Sequence, residues 1–343
     1  MIIDKGEIIV MEEIQTEEMA SAGQEETAAS VGKQKRKRIW IVFACLAAVI
    51  AIAAVAVYLV QNAAPKGFYD YTVQKQQNYV EYSDQYDYWD VFTVEYPVLE
   101  EAEASQGRME NLEQINTALY DGAMDRVNYW HLQPDDEVKK LQEEYHLFCS
   151  DVQCNVAYHS QYLLSVNYRE IYAPVNPVWY VFMTQRGLTV DLLTGESYAL
   201  TDILRVDEDF INLWIEKLNE EQGEEVIAPE DWDIFLDWFT NADEEVAEYY
   251  DLDAFFYLNG EGEAVVGIAL NPKAASLTAN RPSGSAFCAG ISVEELTPYR
   301  TESTFWERYD KSESTGEVRE CEEKHDNLWL GEEAGVWEYW EER

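Results

Sequence analysis

An uninterrupted apolar run from Ile39 to Val60 contains no charged side chain and constrains the possible architecture of the whole chain. A helix of this length rises about 33 Å, against a hydrocarbon core of about 30 Å in a typical bilayer. The run therefore predicts one transmembrane helix over residues 39–60. A cleaved signal peptide is the rival interpretation, because Ala54-Val55-Ala56 has the small residues of a cleavage site.

The charges on either side of the run predict its orientation. Basic residues cluster directly before it, and they are Lys33, Lys35, Arg36, Lys37 and Arg38. Because such clusters stay on the cytoplasmic side, we expect residues 1–38 in the cytoplasm and residues 61–343 outside the cell membrane. Residues 1–38 have no sustained apolar stripe, which predicts a disordered tail.

The outer part of the chain is strongly acidic. The whole chain has 24 basic and 67 acidic residues, for a net charge of −43. Residues 1–38 hold six basic and eight acidic residues and residues 39–60 none, so residues 61–343 carry −41. Aromatic residues make up 13% of the chain, which favours a folded domain with an acidic surface over disorder. Such a surface repels nucleic acid and attracts cationic proteins, cationic peptides or metal ions.

Apolar periodicity in the outer part predicts an α+β fold. Helical spacing covers residues 108–130 and 207–222, and strand-like alternation covers residues 145–159. The segments 254–258 and 264–270 flank Asn259-Gly260-Glu261-Gly262, which is a hairpin pattern. We therefore expect antiparallel sheets with packed helices, preceded by the transmembrane helix.

The domain boundaries follow from these patterns. Residues 61–67 are predicted to be a linker and residues 68–300 the folded domain, with a division into two subdomains near residues 150–160 left open. Residues 301–343 are acidic and contain Trp, and we expect an acidic C-terminal tail there.

The residues with catalytic or metal-binding chemistry form no convincing site in the sequence. His146, Cys149, Cys154 and His159 have the spacing of a zinc knuckle, but alternation along a strand would place the two cysteines on opposite faces. We therefore expect no metal, no cofactor and no disulfide between Cys149 and Cys154. The chain has no G-x-S-x-G, H-E-x-x-H or P-loop motif, so a non-enzymatic domain is expected.

Several short stretches carry a family resemblance. They are VEYPVL (94–99) with LEQIN (112–116), LLSVNY (163–168) with DLLTGE (191–196) and LTDIL (200–204), and FFYL (255–258) with ISVEEL (291–296). Together they resemble the extracytoplasmic domain of RsiV-type proteins. The best-known member is an anti-sigma factor that binds lysozyme outside the membrane and is then proteolysed. The resemblance implies a single-helix anchor and an outward-facing binding domain, with lysozyme as one cationic partner.

Two segments differ from the family pattern and are the candidate ligand loops, Ala173–Pro177 and Asn271–Phe287. Within them the candidate ligand residues are Pro174, Asn176, Pro177, Pro272, Asn280, Arg281 and Pro282. We expect a membrane-tethered sensor or binding protein of the bacterial envelope. The alternatives are an anti-sigma factor, with a sigma factor on residues 1–38, and an enzyme acting on cell-wall glycan through a pair of carboxylates.

Overall fold

The fold consists of two β-sheets and the helices packed on them. The computed structural model describes residues 70–80, 89–100, 111–144, 147–175, 182–223, 227–228, 231–279, 285–312 and 316–319. Among these residues, no helix has the length and apolar character that crossing a membrane requires. The predicted span 39–60, the basic cluster before it and the linker 61–67 lie outside the described residues.

The larger sheet has six strands in the order β1-β2-β3-β4-β5-β6. Their bounds are β1 Asp70–Val80, β2 Trp89–Glu100, β3 Leu147–His159, β4 Leu163–Val175, β5 Phe182–Asp191 and β6 Ser197–Tyr198. Neighbouring strands are antiparallel with one exception, since β2 and β3 run parallel, with Phe92 opposite Ser150.

The parallel pair corrects the expectation of purely antiparallel sheets. Two helices connect β2 to β3, α1 (Leu112–Val127) and α2 (Asp136–Glu144), with a π-helical turn (Asn128–Leu132) between them. A connection of this length returns the chain to the same end of the sheet, so the next strand runs in the same direction. The fold is therefore α+β with a mixed six-stranded sheet.

Helix α1 covers one face of this sheet. Its buried residues include Ile115, Leu119 and Met124, and they pack on alternate residues of β3 such as Val152 and Cys154. The hydroxyl group of Tyr168 in β4 donates a hydrogen bond to the Leu119 carbonyl at 2.7 Å. The even-numbered residues Val152, Cys154 and Val156 of β3 thus lie on the face that α1 covers.

The second sheet has three antiparallel strands and its own helices. Its strands are β7 Tyr250–Leu258, β8 Ala264–Pro272 and β9 Ser285–Ile291. The remaining helices are α3 Leu200–Ile203, α4 Glu208–Gln222, α5 Trp232–Phe239, α6 Glu244–Tyr249, α7 Ala274–Thr278 and α8 Thr304–Asp310. Trp214 of α4 is fully buried against Phe235 and Phe239 of α5, and the core of this half is built around it.

The predicted helix over 207–222 and the predicted hairpin are confirmed. The Asp207 side chain caps α4 by accepting a hydrogen bond from the Phe210 amide. Gly223 ends the helix with a φ of 69°, a left-handed conformation that glycine adopts without strain. In the hairpin, Leu258 pairs with Ala264, and Gly262 supplies the positive φ that the turn requires.

The first candidate ligand loop, Ala173–Pro177, overlaps the end of β4. Residues Ala173, Pro174 and Val175 belong to β4 and pair with β3, so they are not a loop. The pairing between β4 and β5 ends at Tyr172. Pro174 therefore lies beyond the part of β4 that pairs with β5. Proline has no backbone N–H to donate and is tolerated at such an edge position.

The second candidate loop is also shorter than predicted, and part of the expected tail is folded. Pro272 ends β8 opposite Tyr250, and residues 285–287 belong to β9. Within residues 301–343, α8 buries Phe305 and Trp306 in the core of the second sheet. The proposed subdomain division near 150–160 falls largely within β3, and the described residues from 70 to 319 belong to one compact unit.

Residues 316–319 form a short contact with the first strands. The amide of Gly316 donates to the His159 carbonyl at 2.7 Å, and the amide of Arg319 donates to the Val156 carbonyl at 3.0 Å. The Arg319 guanidinium pairs with Glu95 of β2 at 3.1 Å, and the Tyr71 hydroxyl of β1 donates to the Glu317 carbonyl at 3.2 Å. The last described residues therefore lie beside the first described strand.

Candidate functional site at the end of helix α1

The junction between α1 and the π-helical turn supplies polar side chains to two separate networks. Asp125, Arg126 and Tyr129 contribute to a cavity, whereas His131 reaches the start of β2 and β3. Trp130 lies between them in an apolar cluster with Phe148. π-Helical turns are rare and frequently occur at functional sites, so this junction is a candidate functional site.

The first network surrounds a cavity of about 530 Å³, here called the ion-pair cavity. Its lining residues come from α1, the π-helical turn, β5, β7 and β8, and they are Asp125, Arg126, Tyr129, Arg186, Asp251, Leu252, Asp253 and Asn271. The cavity lies where β5 of the first sheet meets β7 of the second. Three of its lining residues are aspartates and two are arginines.

Arg186 of β5 is the centre of one half of the cavity. Its guanidinium is 2.9 Å from the Asp125 carboxylate, 3.4 Å from Asp253 and 3.9 Å from Glu170, and it donates to the Gly122 carbonyl at 2.9 Å. Burial would lower the pKa of Arg186, but Glu170, Asp125 and Asp253 outweigh that effect and raise the pKa. The guanidinium therefore stays charged at every pH at which the protein is folded.

Arg126 is the centre of the other half. It is 2.9 Å from the Asp251 carboxylate and donates to the Pro272 carbonyl at 2.5 Å. Its guanidinium also lies over the ring of Tyr129, 4.4 Å from the ring centroid. Lys273 approaches the other oxygen of Asp251 at 3.1 Å, so Asp251 is held between two cations.

Glu170 lies behind Arg186 and is almost completely buried, with 1% of its surface exposed. Burial raises the pKa of this carboxyl, and the nearby Arg186 offsets the increase only in part. The hydroxyl groups of Tyr172 and Thr184 donate hydrogen bonds to Oε2 of Glu170. Among the described residues, Oε1 has no hydrogen-bond partner.

Other buried polar atoms of the cavity wall also lack partners within the described part of the chain. They are Nε of Arg126, Oδ1 of Asn271 and Nε of Arg186, which faces Asp253 without hydrogen-bond geometry. Buried polar groups in native proteins are nearly always satisfied by protein, water or ligand. Within the described residues, these atoms are buried inside the wall and form no hydrogen bond there.

The second network consists of Asp90, His131 and Ser150. His131 Nδ1 forms a hydrogen bond with the Asp90 carboxylate, and its Nε2 lies 2.6 Å from the Ser150 hydroxyl oxygen. The strands bring these residues together because Asp90 begins β2 and Ser150 lies near the start of β3, parallel to it. The arrangement contains a nucleophile, a base and an orienting carboxylate, as serine hydrolases do.

The surroundings of this triad are closed. Ser150 is 3% exposed, and its strand pairs with β2 on one side and with β4 on the other. The ring of His131 packs against Phe92, with centroids 5.3 Å apart. In this conformation a substrate carbonyl cannot reach the hydroxyl oxygen, so the network fastens the π-helical turn to the sheet.

The cysteines and metal-ligand candidates of the sequence do not converge in the described structure. Within the described part of the chain, Cys149, Cys154 and Cys288 form no disulfide, and burial raises the pKa of Cys149. In the described ranges, no three His, Cys, Asp or Glu side chains are arranged to hold a metal ion. His146 lies outside those ranges.

The predicted ligand residues are only partly described. Pro174 and Pro272 are buried at strand ends, whereas Asn176, Pro177, Asn280, Arg281 and Pro282 lie outside the described residues. Tyr172, which precedes the first predicted loop, shares an apolar cluster with Ala274 and Leu277 of α7, which lie inside the second. Described residues at or beside the two predicted loops therefore belong to one cluster.

The solved structures that are similar to this chain include two DUF3298 family proteins. No protein-family model matches the sequence, and no curated protein matches it. A member of the DUF3298 family from Bacteroides fragilis is 11% identical, with a TM-score of 0.39, and the match covers 71% of this chain and 98% of that one. A DUF3298 family protein from Pseudomonas aeruginosa is 11% identical, with a TM-score of 0.32, and the match covers 69% of this chain and 96% of that one.

Sequence reasoning missed both networks, although one signal was present. Ser150 lies between Phe148 and Val152 on the apolar side of β3, and a polar residue there needs a buried partner. The partner itself could not be predicted, because His131 and Asp90 reach Ser150 only through the parallel pairing of β2 and β3. The ion-pair cavity joins residues from five elements and left no local pattern.

Proposed function

We propose that this chain is a non-enzymatic, membrane-tethered binding or sensor protein of the bacterial envelope that captures a cationic protein. The supporting observation is the set of exposed carboxylates on α4, α5 and α6 and on Asp231 just before α5, here called the acidic face. Its exposed carboxylates are Glu208, Asp209, Glu216, Glu220, Glu221, Asp231, Asp233, Asp237, Glu244, Glu245 and Glu248. Lys217 is the one basic residue in these three helices, and it pairs with Glu220 and Glu295.

The acidic face also carries apolar surface. Ile234 of α5 is 40% exposed, and Trp232 and Trp238 of the same helix are partly exposed. Asp233 and Asp237 lie one turn apart beside them. Exposed ion pairs alone contribute only about 0–1 kcal/mol each, so the apolar residues would provide affinity while the carboxylates accelerate encounter.

A binding titration with lysozyme tests the proposal, since the resemblance to RsiV-type proteins makes lysozyme the first cationic protein to try. The full chain is reconstituted in nanodiscs of uncharged lipid. We expect saturable binding whose association rate falls steeply with salt. Replacing both Asp233→Lys and Asp237→Lys should lower the association rate by roughly fivefold or more, and Ile234→Ser should raise the dissociation rate.

The matched control changes the same charge on another helix. Glu137→Lys together with Glu144→Lys on α2 should lower the association rate clearly less. Equal losses from both pairs, or binding that does not saturate, would mean that the acidity serves solubility alone.

A hydrolytic activity is the second candidate, and the Asp90–His131–Ser150 network is the observation that favours it. A fluorophosphonate probe labels serine nucleophiles that a neighbouring base activates. The proposed binding function predicts no labelling of Ser150. Labelling of the full chain that disappears in Ser150→Ala would establish the enzyme instead.

A further inference from the structure

We propose that the ion-pair cavity binds a small zwitterion, a molecule with an ammonium group and a carboxylate group only a few bonds apart. Free amino acids and short peptides share this chemistry. The inference does not depend on capture of a cationic protein, because the cavity and the acidic face are formed by different residues.

The charges of the cavity are ordered from its mouth to its floor. The carboxylate side chains are half-exposed, with 61% for Asp125, 48% for Asp251 and 40% for Asp253. The guanidinium groups lie deeper, with exposures of 4% for Arg126 and 11% for Arg186. A ligand ammonium would therefore meet carboxylates at the mouth, and a ligand carboxylate would approach arginines below them.

The charge balance favours a ligand with no net charge. The charges at the mouth are already compensated, because each of the three aspartates pairs with Arg126, Arg186 or Lys273, and Glu170 lies behind Arg186. A simple cation or anion would leave one charge uncompensated in a partly buried site, which is costly. A zwitterion brings one partner for each sign.

The size of the cavity also fits. Its volume of about 530 Å³ lies within the roughly 300–1,000 Å³ of small-molecule sites. Arg126 and Arg186 are held by carbonyl and carboxylate groups on several sides, so the site exists before the ligand arrives. Pre-formed charges lose little entropy on binding.

Calorimetry on the full chain with L-alanine and its two half-molecules tests the proposal. Ethylamine carries only the ammonium and propionate only the carboxylate. At equal ionic strength we expect alanine to bind at least about tenfold more tightly than either, which is the effect of one charged hydrogen bond. The dipeptide Ala-Ala distinguishes a free amino acid from a short peptide as the ligand, because its ammonium and carboxylate lie farther apart. The proposal is supported if alanine or Ala-Ala binds more tightly than ethylamine and propionate do.

Substitutions at the mouth locate the site. Asp253→Asn and Asp125→Asn should each weaken alanine binding by about tenfold, with thermal unfolding measured to show that the variants are folded. The exposed Asp136→Asn on α2 is the matched control and should bind as the wild type does. Alanine that binds no more tightly than ethylamine or propionate, or unchanged binding in both aspartate variants, would overturn the proposal.

Discussion

Glu170 shows how a single buried acid couples the stability of this fold to pH. Burial raises the pKa of its carboxyl in the folded protein, so the folded state holds the proton more tightly than the unfolded state does. The stabilisation from this group is therefore complete below the unfolded pKa and is lost as pH rises through the folded pKa.

The replacement Glu170→Gln isolates this effect because the amide cannot titrate. We expect the free energy of unfolding of the wild type, relative to the variant, to fall as pH rises from about 4 towards neutrality. One proton changes it by at most about 1.4 kcal/mol per pH unit. Urea unfolding at a series of pH values measures the difference, and a difference that stays constant or grows with pH would contradict the assignment.

Single residues also mark how far sequence reasoning reached. The cap residue Asp207 and the turn glycine Gly262 could be predicted, because their partners lie within a few positions in the chain. Arg186 could not, because its three carboxylates come from α1, β4 and β7. Local patterns predict local partners, and a network assembled by tertiary contacts leaves no periodic signal.

The contact between β5 and β7 depends on one glycine. A Cβ atom on Gly187 would lie 2.3 Å from the Phe256 carbonyl oxygen, which is far closer than real Cβ atoms approach a backbone atom. The two sheets therefore meet here without room for a side chain. The ion-pair cavity lies on the same strand, beside Arg186.

The substitution Gly187→Ala should separate the sheets locally. We expect it to lower the free energy of unfolding by about 2–3 kcal/mol, since backbone atoms must move. Gly260→Ala is the matched control, because its Cβ would meet nothing nearer than the Ala157 carbonyl oxygen at 4.0 Å. Chemical denaturation compares the two variants, and equal losses would argue against a close contact at Gly187.

At the level of elements, short-range connections could be predicted and the long crossover could not. Helix α4 and the β7–β8 hairpin were predicted because periodicity and turn residues determine both. The parallel pairing of β2 and β3 could not be predicted. The connection passes through two helices, and the sequence of a strand does not determine whether its neighbour runs parallel or antiparallel to it. The Asp90–His131–Ser150 network depends on that pairing, since it places Asp90 and Ser150 within reach of the same His131 ring.

For the whole molecule, composition was the most informative property of the sequence. The net charge of −43 predicted an acidic surface, and the described helices α4–α6 carry a large part of it. Composition could not say that the arginines would lie inside a cavity beneath aspartates. Where a few cations are placed among many acids is determined by packing, which only the folded chain reveals.

The contact between Tyr71 and Glu317 means that the described body begins and ends at one place. Such a body can be circularly permuted or inserted into a loop of another protein with little distortion. A chain in which a short Gly-Ser linker joins residue 319 to residue 70, with new termini after Gly223, should unfold cooperatively near the temperature of the original order. Loss of cooperative unfolding would show that the fold depends on the order of the segments along the chain, and not only on the contacts between them.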